Sequence, residues 1–168
     1  DFAGNPLAGR FTTEGSYAIG ISPNYVAIGD VNGDGHLDLA AANFGDWGSG
    51  NTVSILLGNG DGTFQDQTTV VAGTNPIFVA IEDLNGDGNP EIVFGTEGGR
   101  VVAVRSNGTL MWSYLTGSVP VQSKASVADI DGDGQLEVVV GVGSALHNGG
   151  GIYVISSTGQ LKCSFTAL

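Results

Sequence analysis

Basic residues are scarce in this chain: five lysines and arginines stand against 17 aspartates and glutamates in 168 residues, for a net charge of −12. With no basic stripe to neutralise phosphates, a nucleic-acid partner is excluded. Cys163 is the single cysteine, so no disulfide can form within the chain. No apolar run reaches the roughly 20 residues that span a bilayer, which argues against membrane insertion. Sustained helical periodicity is absent too, and without a helix there is no phosphate-binding glycine loop at a helix start. Two histidines and many serines make some Ser/His/Asp combination inevitable by composition, but no nucleophile-elbow motif accompanies them. The chain also has no initiator methionine and no signal peptide, which reads as a processed protein or a fragment.

What the chain has in excess is glycine, 29 residues without a collagen-like period. Glycine spread this way suits many tight turns between short strands. Six of these glycines lie in one nine-residue pattern that occurs three times: DVNGDGHLD from Asp30, DLNGDGNPE from Asp83 and DIDGDGQLE from Asp129. Carboxylates crowded at alternate positions repel one another unless a cation sits among them. Oxygen-only ligands point to a hard ion, and Ca²⁺ suits a flexible all-protein cage better than Mg²⁺, which keeps its waters. Each loop therefore reads as a Ca²⁺ site, three in all and one per repeat. The first uses Asp30, Asn32, Asp34, the carbonyl of His36 and Asp38. In the second the ligands are Asp83, Asn85, Asp87, the carbonyl of Asn89 and Glu91. The third has Asp129, Asp131, Asp133, the carbonyl of Gln135 and Glu137. An EF-hand is excluded, because its position-twelve Glu is replaced by Ala41, Phe94 and Val140 and the flanks are strand-like. Only the third loop offers four carboxylates, so charge count predicts that it binds most tightly. Ten of the 17 acids lie in these loops, and three bound Ca²⁺ would halve the net charge.

The loops start 53 and 46 residues apart, a spacing typical of propellers and solenoids. An apolar run precedes each loop and another follows it. A third strand, a turn (Gly60-Asp61-Gly62, Asn107-Gly108, Thr158-Gly159) and a fourth strand opening with Phe64, Leu110 or Leu161 complete each unit. The expected fold is all-β: three four-stranded antiparallel β-propeller blades over residues 23–74, 75–119 and 120–168. Residues 1–22 read as the outer strand of a preceding blade, because Gly9-Arg10-Phe11-Thr12 resembles Gly62-Thr63-Phe64-Gln65. Closed propellers need about four to eight blades. The segment thus belongs to a longer parent chain, or copies complete a ring as a homo-oligomer.

The order of apolar strand, Asp-x-Asn/Asp-Gly-Asp-Gly-x-x-Asp/Glu and apolar strand resembles the FG-GAP/VCBS repeats of integrin α-subunits and many secreted microbial proteins. The Phe-Gly half of the name survives as Phe94-Gly95 and, loosely, as Val140-Gly141. The Gly-Ala-Pro triplet is missing, though Ser22-Pro23 and Asn75-Pro76 stand at blade entries. These departures favour the broader microbial branch. The resemblance implies a propeller, Ca²⁺ between strands one and two of each blade, and ligand binding on the opposite face. There the connections between strands two and three carry Asp46, Trp47 and His147, which become candidate ligand contacts. Ca²⁺ is abundant outside cells, which favours an extracellular or cell-surface setting. The leading expectation is non-enzymatic adhesion or recognition of a carbohydrate or an extracellular protein. The alternatives are the propeller portion of a secreted polysaccharide-degrading enzyme, such as a lyase, and a structural spacer.

Overall fold

Val, Ile and Ala runs bounded by Gly, Asn and Asp can bury both faces of a strand while the turns stay polar. A computed structural model describes residues 16–46, 50–117, 119–144 and 147–166, with the backbone alone for 144 and 147–149. It holds twelve strands and, among the described residues, no helix. The first sheet comprises β1 (Pro23–Gly29), β2 (Asp38–Asn43), β3 (Thr52–Leu56) and β4 (Thr68–Val71). The second comprises β5 (Pro76–Glu82), β6 (Glu91–Thr96), β7 (Arg100–Val104) and β8 (Leu110–Leu115). The third comprises β9 (Ser126–Ala128), β10 (Glu137–Ser144), β11 (His147–Ser156) and β12 (Leu161–Thr166). Each is an antiparallel meander in sequence order, as expected of propeller blades.

Blade entry follows the same geometry in the first two sheets. Pro23 and Pro76 open β1 and β5, and in both the register shifts one pair later, between Pro23 and Tyr25 and between Pro76 and Phe78. Proline has no N–H to give the ladder, so the first residue of a strand suits it. The residues before them, Ser22 (φ 49°) and Asn75 (φ 47°), both adopt the left-handed conformation. Side chains other than glycine rarely do so. Its recurrence at equivalent positions marks a built turn.

The sheets stack face to face. Ala40, Ala42, Val53 and Ile55 of the first sheet meet Val79, Ile92, Phe94, Val102 and Val104 of the second. The opposite face of the second sheet, with Phe78, Val93, Val101 and Ala103, meets Val138, Val140, Val142 and Ile155 of the third. Successive residues of β6 and β7 thus feed two different cores, which is why these strands read as unbroken apolar runs.

Three details differ from the sequence reading. The connection expected to carry His147 between the second and third strands of the third sheet is shorter, because Ser144 pairs with His147 and Val142 with Gly151, extending the hairpin through the glycines. Its backbone ladder needs no side chains, so glycine did not end it. In the first sheet Phe64 forms only an isolated bridge to Gly58, and the regular fourth strand starts at Thr68. Residues 1–15 of the expected preceding strand lie outside the described residues, and no strand covers 16–22. Tyr17 instead packs edge-on against Phe64 and accepts the Phe64 N–H through its hydroxyl at 3.0 Å.

Candidate metal centre

All three acidic loops connect the first and second strands of their sheets, and they fold alike. The carboxylate at position one accepts backbone N–H groups from both loop glycines. Asp30 takes those of Gly33 and Gly35, at 2.8 Å each. Asp83 takes Gly86 and Gly88, at 2.9 Å each. Asp129 takes Gly132 at 2.7 Å and Gly134 at 2.9 Å. The six glycines all have φ between 74° and 88°, a region open to them at little cost. At position five, Asp34, Asp87 and Asp133 accept the N–H of position seven (His36, Asn89, Gln135), each at 2.8 Å. At position three, Asn32, Asn85 and Asp131 accept the N–H of position five at 3.1, 2.8 and 3.3 Å.

Position nine reaches back into the loop from the second strand. Asp38, Glu91 and Glu137 are buried and accept the N–H of Val31, Leu84 and Ile130 at 2.8, 3.1 and 3.0 Å. Here the loops diverge. Asp38 spends its other oxygen on the N–H of Gly58, at 2.7 Å. Glu91, one methylene longer, meets the Asn85 amide at 3.3 Å. Glu137 meets the ammonium of Lys162, at 2.7 Å.

The electrostatics follow from these contacts. The His36 N–H, then the Asn32 amide, hold the Asp34 carboxyl below its ordinary range. Asp87 is lowered by the backbone and then the side chain of Asn89, and Asp133 by the Gln135 N–H and then Lys162. Burial pushes the Glu91 carboxyl up, against the lowering effect of the Leu84 N–H. Close contact with the carboxylates of Asp131, Glu137 and Asp133 raises the Lys162 ammonium far above its usual value.

Asp129, Asp131 and Glu137 bring one carboxylate oxygen each to within 4.8 Å of one another, a group that can hold a metal ion. The donors are all oxygen and one comes from a buried side chain, which fits a hard cation. The first two loops present the same backbone scaffold with an asparagine at position three.

The proposed ligand-contact residues are less gathered. Asp46 is exposed and accepts a hydrogen bond from the Ser22 hydroxyl. Trp47 lies outside the described residues, and His147 opens β11. Two shallow clefts lie at the acidic-loop end. One, of about 230 Å³, lies between the second and third loops against Ser157 and Thr158. The other, about 340 Å³, lies between the first loop and the Gly58–Phe64 turn. Sequence reasoning missed Lys162, Ser157 and Thr158. The available signal for Lys162 was a lone lysine on the outer strand of the one repeat with an additional loop carboxylate.

The repeat geometry agrees with comparison to known proteins: the FG-GAP-like repeat matches residues 30–94 and again residues 83–140. The chain belongs to the FG-GAP-like repeat family. Two lambda-carrageenases resemble part of this FG-GAP-like chain: one from Pseudoalteromonas sp is 29% identical over 110 residues, and one from Pseudoalteromonas carrageenovora 28% over 110. These matches cover 66% of the chain but about a tenth of each carrageenase. Among solved structures, the V. cholerae biofilm matrix protein Bap1 is similar with a TM-score of 0.57 and 25% identity, over 90% of this chain and 21% of Bap1. BBS1N, solved in complex with ARL6DN, shares the fold at a TM-score of 0.58 with 16% identity, over 89% of this chain and 41% of that one. No helix among the described residues is long and apolar enough to cross a membrane.

Proposed function

We propose that this FG-GAP-like segment is a calcium-stabilised, non-catalytic recognition module of an extracellular protein, with one Ca²⁺ per acidic loop. The observation that carries this reading is the triplication of one loop geometry. Position one is locked by two glycine N–H groups and position nine is buried beneath the loop, in all three sheets at the same edge. Asp30, Asn32, Asp34, Asp83, Asn85, Asp87, Asp129, Asp131, Asp133 and Glu137 would hold the ions, with the carbonyls of His36, Asn89 and Gln135. Asp38 and Glu91 contribute as far as their backbone contacts allow. A bound ion would supply positive charge to a carboxylate cluster and tie the first strand of each blade to the second. The protein's own part is to hold those oxygens in place through the glycine turns.

Carbohydrate is the favoured ligand class. The chain resembles part of two enzymes named for lambda-carrageenan and the fold of a biofilm matrix protein. Asp46, Trp47 and His147 are the candidate contacts, by their place in the sequence between the second and third strands of the first and third blades. The second reading, a propeller portion of a polysaccharide-degrading enzyme, is favoured by the same carrageenase matches. Both place the protein outside the cell, where Ca²⁺ fills loops of modest affinity.

An ion that binds the native state alone stabilises it by mass action, about 2.7 kcal/mol at a hundredfold excess over Kd. The melting temperature is therefore expected to fall by several degrees when EGTA replaces Ca²⁺. Identical melting curves in the two buffers would remove the calcium reading. A glycan array probed with the calcium-loaded protein tests recognition: retention on one glycan class supports it, and a blank array leaves the structural role alone.

A further inference from the structure

The third residue after the last turn of each blade differs in charge between the third blade and the other two. The N–H of Gln65 bonds the carbonyl of Leu57, and the N–H groups of Asn59, Arg105 and Ser156 bond the carbonyls of Thr63, Thr109 and Gln160. These contacts align Thr63 with Thr109 and Gln160, and hence Gln65 with Met111 and Lys162. Two of the three equivalent residues are uncharged. The third is a lysine whose ammonium lies 2.7 Å from Asp131 Oδ2, 3.0 Å from Asp133 Oδ2 and 2.7 Å from Glu137 Oε1.

The loop beneath it differs in a matching way. In the first two loops position three is asparagine, and its amide donates inward: Asn32 to Asp34 at 2.9 Å, Asn85 to Glu91 at 3.3 Å. Asp131 has no such donor and adds a negative charge. Lys162 supplies the missing positive charge to both, as an ion pair with the buried glutamate and as a hydrogen-bond donor to the additional aspartate. Two of its three partners, Asp131 and Glu137, belong to the trio whose oxygens converge within 4.8 Å.

We infer that Lys162 is a built-in cation of the third loop, holding that loop in its folded shape without metal and competing with Ca²⁺ for the same carboxylate oxygens. The inference rests on the reading of the acidic loops as calcium sites. It reverses the ordering that charge count gives, since the loop with four carboxylates becomes the weakest site. The third blade is then the calcium-independent part of the segment, and the first two carry the response to calcium.

Calcium titration followed by ¹H–¹⁵N NMR resolves the loops separately, through the amides of Gly35, Gly88 and Gly134. In the wild type the Gly134 amide is expected to shift at a higher Ca²⁺ concentration than the other two. In Lys162→Met, which installs the residue of the second blade, its midpoint is expected to fall at least tenfold while those of Gly35 and Gly88 stay in place. In EGTA the same variant is expected to melt several degrees below wild type, and saturating Ca²⁺ should close that gap. Lys162→Gln, the residue of the first blade, provides the same measurements should the methionine variant fold poorly. A Gly134 midpoint that is unchanged or higher in both variants would overturn the inference while leaving the calcium sites standing. No amide responding in any loop would remove the calcium reading and this inference together.

Discussion

Position nine shows how a single methylene redirects a residue. Asp38, Glu91 and Glu137 start from the same place on the second strand and all accept the N–H of position two. The shorter Asp38 also takes the N–H of Gly58, 20 residues onward, and so braces the end of β3. It is fully buried. Removing it leaves two backbone donors, those of Val31 and Gly58, without a partner, at a cost of about 1–3 kcal/mol for each buried group. Asp38→Ala is therefore expected to destabilise the protein by about 2–4 kcal/mol. Chemical denaturation should show the loss in EGTA as well as in Ca²⁺. A loss confined to the calcium-containing sample would make Asp38 a metal ligand and nothing more. The sequence motif located all three acids but assigned them one role. What separates them is contact with Gly58, Asn85 and Lys162, and two of these partners lie 20 and 25 residues away along the chain.

At the scale of the element, the second sheet carries the heaviest packing demand because both its faces are covered. Phe94 enters one core and Phe78 the other, and Gly95 lies beneath the Phe78 ring. A Cβ on Gly95 would sit 2.2 Å from Phe78 Cε1 and 2.9 Å from Val121 Cγ1. Such a clash forces the ring or the strand to move, and overpacking of this kind costs about 1–3 kcal/mol. Gly95→Ala is expected to lower the urea midpoint accordingly. Gly86→Ala, in an open loop at φ 74°, should cost only its backbone strain and leave core packing untouched. Equal near-ultraviolet spectra for wild type and Gly95→Ala would contradict this account of the Phe-Gly pair. Strand identity was legible here, since apolar runs of five or six residues between glycine turns admit little else. Strand ends were less so. The hairpin between β10 and β11 runs on through glycines that alone suggest a loop, because backbone pairing across Val142 and Gly151 leaves no trace in side-chain pattern.

For the whole molecule, the residue at position two of each loop records what lies beside it. Val31 is buried between the first and second sheets, and Leu84 between the second and third. Ile130 holds the same place in the third sheet and is 54% exposed, with no described sheet beyond it. Ile152 and Phe165 on the same sheet are also exposed, as are Val26 and Ile28 on the first. The stack thus ends in two apolar faces of the kind that its own inner sheets cover. Contiguous exposed apolar surface marks a place where something docks. A further blade would cover Ile130 as the third sheet covers Leu84. In the isolated segment the available substitute is the first sheet of a second copy, joined head to tail. Light scattering is expected to give a mass above the 17.0 kDa of one chain, rising with concentration. Phe165→Asp or Ile28→Asp, each placing a charge on one of the two faces, should return the mass to that of one chain, while Val71→Asp, on the exposed outer strand β4, should not. Head-to-tail contacts that do not close grow into open chains, so a discrete mass would mean closure into a ring, and a broad distribution an open stack. A single-chain mass at every concentration would show that these faces do not bind one another.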